Sequence, residues 1–301
     1  MRVPWYRQRW LHLALGFLVA ILAVVWAGQR AAQGVRSGLD ARLRGAGAGA
    51  DAGVVAVEAE QLSALRGVTF TRGVGHALAS RDVRELDRLV TPVQANSDVP
   101  MIDVVLPNGQ VVFAVRSKGA PPPVASRAGL PAIRQSLAEA HGVRGGRFTE
   151  VVIFRGGPTL MTIGPIVDGT VPIGVVLAMT PLADVLGRLS QQSAAEMTAY
   201  AVTGTPIATT APFRPATVPP DTARSLMAGS ALVTREVHGS FRETLGRLIV
   251  DHQAAAVLGV ALHDDSAATG WTVTLYAALG LIGTVLILGT FWARVSNRGG
   301  R

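Results

Sequence analysis

The stretch Met101-Ile102-Asp103-Val104-Val105-Leu106-Pro107-Asn108-Gly109-Gln110-Val111-Val112-Phe113-Ala114-Val115 decides the fold. Two runs rich in β-branched residues flank Asn-Gly, the dipeptide that most readily supplies the positive φ angles of a tight hairpin turn. The segment therefore reads as strand, turn, strand. Upstream the period is helical. Leu62, Leu65, Val74, Leu78, Leu86, Leu89 and Val90 recur at helical spacing over 54–95, and Ser80 followed by Asp82 and Glu85 reads as a helix start with acids in the first turn. Downstream, Pro121-Pro122-Pro123 is a loop and Pro131–His141 a short helix. Three strands follow at Phe148–Phe154, Thr159–Val167 and Val171–Thr180, with turns at Gly156-Gly157-Pro158 and Asp168-Gly169. The order helix, hairpin, helix, three strands predicts an α+β arrangement, a five-stranded antiparallel sheet with helices on one face.

The same order then recurs. Leu182–Glu196 reads as a helix, Thr198–Val202 and Pro206–Thr210 as strands around Thr203-Gly204-Thr205, and Asp221–Ala228 as a short helix. Ala231–Val237, Thr244–Val250 and Ala255–Leu262 read as three further strands. The words match as well: Ile166-Val167-Asp168 then Gly174-Val175-Val176 in the first half, Ile249-Val250-Asp251 then Gly259-Val260 in the second. A tandem repeat is expected. Ahead of it, residues 30–53 are rich in Gly, Ala and Arg, and Gly45, Gly47 and Gly49 weaken a helix there by about 1 kcal/mol each relative to Ala.

The flanks are of another kind. The chain has 301 residues, 49% of them apolar and only 16% charged, with a mean hydropathy of +0.35. Trp10–Gln29 and Ser266–Ala293 carry no formal charge, and each is long enough for a membrane helix of about 20 residues. All five Trp bracket these two segments, as interfacial belts do. Of the net charge of +8, Arg2, Arg7 and Arg9 supply three before the first segment, and Arg294, Arg298 and Arg301 three after the second. This pattern predicts both termini in the cytoplasm and the middle exported. It also excludes the usual reading of a basic chain, nucleic-acid binding, because the region that folds is nearly neutral. A cleaved signal peptide is the competing reading of 1–28, with Val25-Trp26-Ala27 a weak cleavage site. A retained helix is favoured by the length of the apolar run.

Chemistry is bounded mostly by exclusion. Without Cys there is no disulfide, thiolate metal site or cysteine nucleophile. The single Lys, Lys118, lies in Ser-Lys-Gly, which is not a phosphate-binding loop. His12, His76, His141, His238, His252 and His263 include no i, i+4 metal pair, and there is no Gly-x-Ser-x-Gly elbow. Asp168 and Asp251 read as turn residues and Asp264-Asp265 as a solvated stop before the second membrane segment. No catalytic residue, metal site or cofactor is expected.

A membrane helix, a long helix, two tandem modules and a second membrane helix resemble the double-Cache sensor domains of bacterial transmembrane receptors, which are tandem PAS-like modules. His76–Val115 resembles the entry of their membrane-distal module. Gly164-Pro165-Ile166-Val167-Asp168 through Gly174-Val175-Val176, then Pro181-Leu182-Ala183-Asp184-Val185-Leu186, resembles their closing strands and the helix leading into the proximal module. The resemblance divides the chain into a cytoplasmic tail (1–10), a transmembrane helix (11–28) and a juxtamembrane and long helical region (29–95). A membrane-distal PAS-like module (96–181), a membrane-proximal one (182–265), a transmembrane helix (268–293) and a cytoplasmic tail (294–301) follow.

The resemblance also implies a ligand between the sheet and its short helix. The candidates are Arg116 at the end of the hairpin, Arg134 and Gln135 on the short helix, and Arg155 after its strand, a cationic set suited to a small anion. Amino-acid-binding members resemble one another in an Arg-x-Trp-Tyr stretch on the short helix and an Asp on the last strand. Here Leu130-Pro131-Ala132-Ile133-Arg134-Gln135-Ser136 has no Trp or Tyr, and Met179 falls near the place of the Asp. The expected function is an extracytoplasmic sensor at the inner membrane. It would bind a small molecule and signal to a cytoplasmic partner or to an output domain of a longer protein. The alternative is a membrane-anchored binding or assembly protein without signalling, and a third reading is an exported hydrolase with a dispersed site. Ala277, Gly280, Gly283 and Thr284 space small residues along the second membrane helix, which predicts a parallel homodimer.

Overall fold

The computed structural model describes the backbone of residues 5–142, 145–238, 240–266, 268–280 and 282, and within them the side chains from Leu18 onward. The chain forms two compact units, one of residues 1–42 with 263–301 and one of residues 43–262.

In the first unit, helix α1 (Trp5–Thr69) meets a helix at 268–280 around Gly28 and Ala32. A Cβ on Gly28 would fall 2.1 Å from Thr274 Oγ1, so glycine is what lets these helices approach. Arg36 Nε donates to Ser266 Oγ at 3.1 Å. Leu22, Val25, Trp26, Trp271, Leu275 and Leu279 are exposed, an apolar surface of the kind that water does not favour. One helix, α1, is long and apolar enough to cross a membrane among the described residues. Residues 1–4, the rest of the second expected span with Gly283 and Thr284, and the tail at 294–301 lie outside the described residues.

In the second unit α1 continues without a break through the glycine-rich stretch. Leu43, Ala46, Ala50, Val54, Val57, Gln61, Ala64 and Val68 are buried at three- or four-residue steps, and the packing of that stripe offsets the poor propensity of its glycines. The region 54–95 is three helices: the end of α1, α2 (Val74–Ser80) and α3 (Val83–Ala95). The chain turns at Gly73 (φ 93°) and Arg81 (φ 55°). The start of α3 is capped by Asp82, whose carboxylate accepts the Glu85 N–H at 3.1 Å. Ser80 instead closes α2, donating to the His76 carbonyl.

Two five-stranded antiparallel sheets follow. The first comprises β1 (Met101–Val105), β2 (Val111–Arg116), β3 (Phe148–Phe154), β4 (Gly157–Asp168) and β5 (Val171–Pro181), in the order β2-β1-β5-β4-β3, with α4 (Pro131–Ala138) between β2 and β3. Helix α5 (Leu182–Ser193) leads to β6 (Glu196–Tyr200), β7 (Pro206–Thr209), α6 (Pro220–Met227), β8 (Val233–Val237), β9 (Phe241–Val250) and β10 (Gln253–His263), in the order β7-β6-β10-β9-β8. The repeat extends to irregularities. The β1–β2 ladder shifts register at Val104/Val105, and β6–β7 shifts at Ala199/Tyr200. The glycine words of the sequence repeat are not in register, however. Asp103 pairs with Leu177 and its counterpart Thr198 pairs with Gly259, so Gly259 occupies the place of Leu177, not of Gly174.

Helices cover both faces of the first sheet, not one. Val104, Ile166, Val176 and Ala178 pack with Leu65, Leu78, Leu86 and Val90 of α1–α3. Their neighbours Val105, Val175, Leu177 and Met179 pack with Ala132 and Ile133 of α4. Because side chains alternate across a strand, two apolar faces are present, and each needs a cover.

Candidate functional site

The α4 face of the first sheet is where polar chemistry gathers. Asp103 lies at the centre of β1, between Ala114 of β2 and Leu177 of β5, and its side chain is fully enclosed. A buried carboxylate in an otherwise apolar strand costs several kcal/mol unless it is paired. Two guanidinium groups pair with it. Arg116 Nη2 donates to Asp103 Oδ1. Arg127 Nε and Nη2 both donate to Asp103 Oδ2, at 3.1 and 2.9 Å. Arg116 is further held through Nη1 by the carbonyls of Ile102 and Val115, at 3.2 and 2.8 Å.

Arg127 comes from the loop before α4, and the hairpin turn puts it there. Gly109 adopts φ 85°, and a Cβ at that position would fall 2.3 Å from the Ala128 Cα, so the loop lies directly on the turn. Arg127 N donates to the Gly109 carbonyl at 2.6 Å, and Val111 N to that of Ala125 at 3.0 Å. The Asn-Gly signal that decides the fold therefore also seats the loop that completes the site.

Arg116 and Arg127 form one wall of an open cavity of about 620 Å³, within the size range of small-molecule sites. Arg155 stands at its rim, exposed. The remaining wall is largely apolar, with Phe154, Leu130, Val152 and Met179 among its members, and no acidic side chain lines it. The Arg127 guanidinium sits over the Phe154 ring, 4.3 Å from its centroid, and Arg127 Nη2 contacts Met179 Sδ at 3.8 Å. Among the described residues Arg116 Nε is buried without a partner, and Arg127 engages Asp103 through Nε and Nη2.

Of the four residues expected from sequence, Arg116 and Arg155 line this cavity. Arg134 and Gln135 are exposed on the outer side of α4, where Gln135 Nε2 donates to Glu139 at 3.2 Å. Ala132, Ile133 and Ser136 are the α4 residues that turn inward. Sequence reasoning did not single out Asp103 or Arg127. A lone acid in the strand Met101-Ile102-Asp103-Val104-Val105 is a signal that a partner exists. Nothing local distinguishes Arg127 from any other loop arginine.

The second sheet offers a comparison at the same place. The turn at Gly204 (φ 81°) receives the N–H of Val218 as Gly109 receives that of Arg127, so Val218 is Arg127's counterpart. Here the ionic groups are closed on themselves. Glu243 accepts from Tyr200 Oη at 2.7 Å and from Arg235 Nε at 2.7 Å. Arg235 also donates to Tyr200 Oη and to the carbonyls of Ala216 and Thr217. Burial, and then the neighbouring Glu243 carboxylate, push the Tyr200 phenol well above its usual range, so it stays a neutral donor. Val218, Ala223, Leu226, Leu245 and Val257 fill the space between sheet and α6, all of them buried.

No protein-family model matches this sequence, and no curated protein matches it. Solved structures do match. The sensor domain of the histidine kinase DctB from Vibrio cholerae superimposes with a TM-score of 0.51 at 12% identity, over 77% of this chain and 98% of that one. The extracellular domain of vpHK1S-Z8, assigned to a histidine kinase, gives 0.53 at 11% identity over 79% and 94%. A domain assigned to a sensory box/GGDEF family protein of Vibrio parahaemolyticus gives 0.50 at 12% identity over 78% and 98%. At such identities the likeness establishes the fold alone, two tandem PAS-like modules along a long helix.

Proposed function

Starting from a double-Cache fold beside an apolar helix, we propose that this chain is a membrane-bound extracytoplasmic sensor whose distal cavity binds a small anion. The observation that carries the reading is the composition of that cavity: three arginines, two of them buried on a shared carboxylate, and no lining acid. A free ammonium group would find no counter-charge there, which disfavours amino acids. The domain limits given above (96–181 distal, 182–265 proximal), two spans with both termini cytoplasmic, a homodimer, a cytoplasmic partner or output domain, and a non-enzymatic role belong to the same proposal.

A route out of the cavity supports signalling. Thr159, Met179 and Pro181 line the cavity, while the groups between them reach the other way. Gln61 of α1, fully buried, donates to the Leu160 carbonyl at 3.1 Å and to Thr180 Oγ1 at 2.9 Å, and accepts from Thr162 Oγ1 at 2.7 Å. A ligand that moves β4 or β5 would therefore move α1. It would bias a two-state equilibrium by its differential affinity for the two states.

The test is calorimetry of the full chain in lipid nanodiscs against small carboxylates, amines and neutral amides. Carboxylates should bind, and Arg127→Ala should weaken them about 30-fold or more, the cost of removing a partner from a buried charge pair. Arg134→Ala should leave binding unchanged. Binding confined to amines, or carboxylate binding indifferent to Arg127, would remove the basis for the site. Reporter fusions at residues 5, 150 and 301 should read in, out, in. An exported C-terminal reporter would sink the two-span topology.

A further inference from the structure

We propose that Asp103 sets the charge of the ligand, so that the distal cavity selects a monoanionic carboxylate with an apolar body over a dianion or a zwitterion. This rests on the reading of that cavity as the ligand site.

Asp103 is fully enclosed and does not line the cavity. Arg116 and Arg127, whose side chains are each about 10% exposed, lie between it and the open space. Both carboxylate oxygens are taken, one by Arg116 and the other by two N–H groups of Arg127. One negative and two positive charges leave a single net positive charge facing a wall without acids. In a partly desolvated site that imbalance governs which ligand charge is accepted, because each uncompensated charge is costly there. A monoanion cancels it. A dianion reverses its sign, and Arg155, exposed at the rim and screened by solvent, offsets the second charge only weakly. A zwitterion brings an ammonium group with nothing to receive it.

The two guanidinium groups at the cavity wall match one carboxylate in charge. Arg116 Nε is buried with no partner among the described residues, and the bonds of Arg127 to Asp103 engage its Nε and Nη2. The groups beyond them, Phe154, Leu130 and Val152, offer a ligand's body only apolar contact. Asp103 also fixes the Arg127 fork, since without it the guanidinium would be held only by the Phe154 ring and the Met179 sulfur. The test must therefore separate charge from positioning.

The experiment is calorimetric titration of the full chain in nanodiscs with hexanoate, succinate and leucine. Wild type should bind hexanoate at least about tenfold more tightly than succinate, and leucine least. Asp103→Asn, which raises the net charge to two, should shift the hexanoate-to-succinate ratio toward succinate by about tenfold. Arg116→Gln, which lowers it to zero, should weaken both. The double variant D103N/R116Q restores one net charge with Arg127 alone, and should regain a preference for hexanoate that a purely structural role for Asp103 would not give back. If D103N does not fold, the contrast between R116Q and the double variant carries the test. Wild-type preference for succinate, or a double variant no better than R116Q, overturns the inference while leaving the anion site standing. Binding of none of the carboxylates overturns the site reading and the inference with it.

Discussion

The first and second modules, distal and proximal in the proposed topology, share a strand order, a bulge on the same strand and a glycine turn that receives a backbone N–H from the loop before the short helix. They differ in how charge is balanced on the face beneath that helix. In the proximal module one carboxylate, Glu243, meets one guanidinium, Arg235, and the Tyr200 hydroxyl and two loop carbonyls take up most of the remaining donors. In the distal module two guanidinium groups share one carboxylate beside an open cavity. The same scaffold thus yields a closed core where charges cancel and an open cavity where they do not, which the proposed function reads as the ligand site. A buried network left with one charge to spare is a liability for folding, and it can be tolerated where a ligand completes it.

The strongest way to break this contrast is at the closed network. Arg235→Ala strands Glu243, of which only 3% of the side chain is exposed, and should destabilise the chain by about 3–5 kcal/mol. The expected readout is a large fall in thermal midpoint with hexanoate affinity at the distal site retained. Equal loss of both would show that the two modules do not act separately. Next comes Arg127→Val, which gives the distal loop the residue that the proximal one carries. It should cost about 2–5 kcal/mol of carboxylate binding by calorimetry.

A smaller effect tests how each module grips α1. Gln61 makes three buried hydrogen bonds to the distal sheet, whereas Glu58, half-buried, accepts one from Asp251 N in the proximal β9–β10 turn, at 2.9 Å. Gln61→Leu leaves its partners unsatisfied and should cost about 1–3 kcal/mol in chemical denaturation. The smallest effect is at Glu58, whose carboxyl is raised above the usual glutamate range chiefly by burial. The folded state then holds that proton more tightly than the unfolded one. This contribution to stability is present in full below the ordinary glutamate pKa and lost as pH rises through the raised value. Glu58→Gln keeps an acceptor for Asp251 N. It should flatten the pH dependence of stability just above the glutamate range, a small effect because Glu58 is only half-buried and solvent screens it. An unchanged profile would show that Glu58 contributes nothing measurable there.

The element order, the repeat and the apolar flanks are legible in the amino-acid sequence, because each is written in local patterns. Asn108-Gly109 forces a hairpin whatever surrounds it. Alternating and continuous β-branched runs form strands, and 20 uncharged residues make an apolar helix. The sequence left open the continuity of α1 through Gly45–Gly49, because the poor propensity of those glycines is offset by a buried stripe that no local pattern reveals. It also misjudged the two-sided cover of the sheet, because strands buried on both faces lose the alternation that would reveal it.

The site divided the same way. Arg116 and Arg155, expected from their place at strand ends, line the cavity, which alone does not make them ligand residues. Arg134 and Gln135 shared a helix with inward-facing Ile133 and Ser136, and only the docking of α4 decided which side turned in. Asp103 and Arg127 are 24 residues apart in sequence. That they share a hydrogen bond, and that Val218 takes Arg127's place in the other module, was decided by the tertiary structure alone. Charge balance in a buried site is a property of groups brought together across strands and loops, and no local period encodes it.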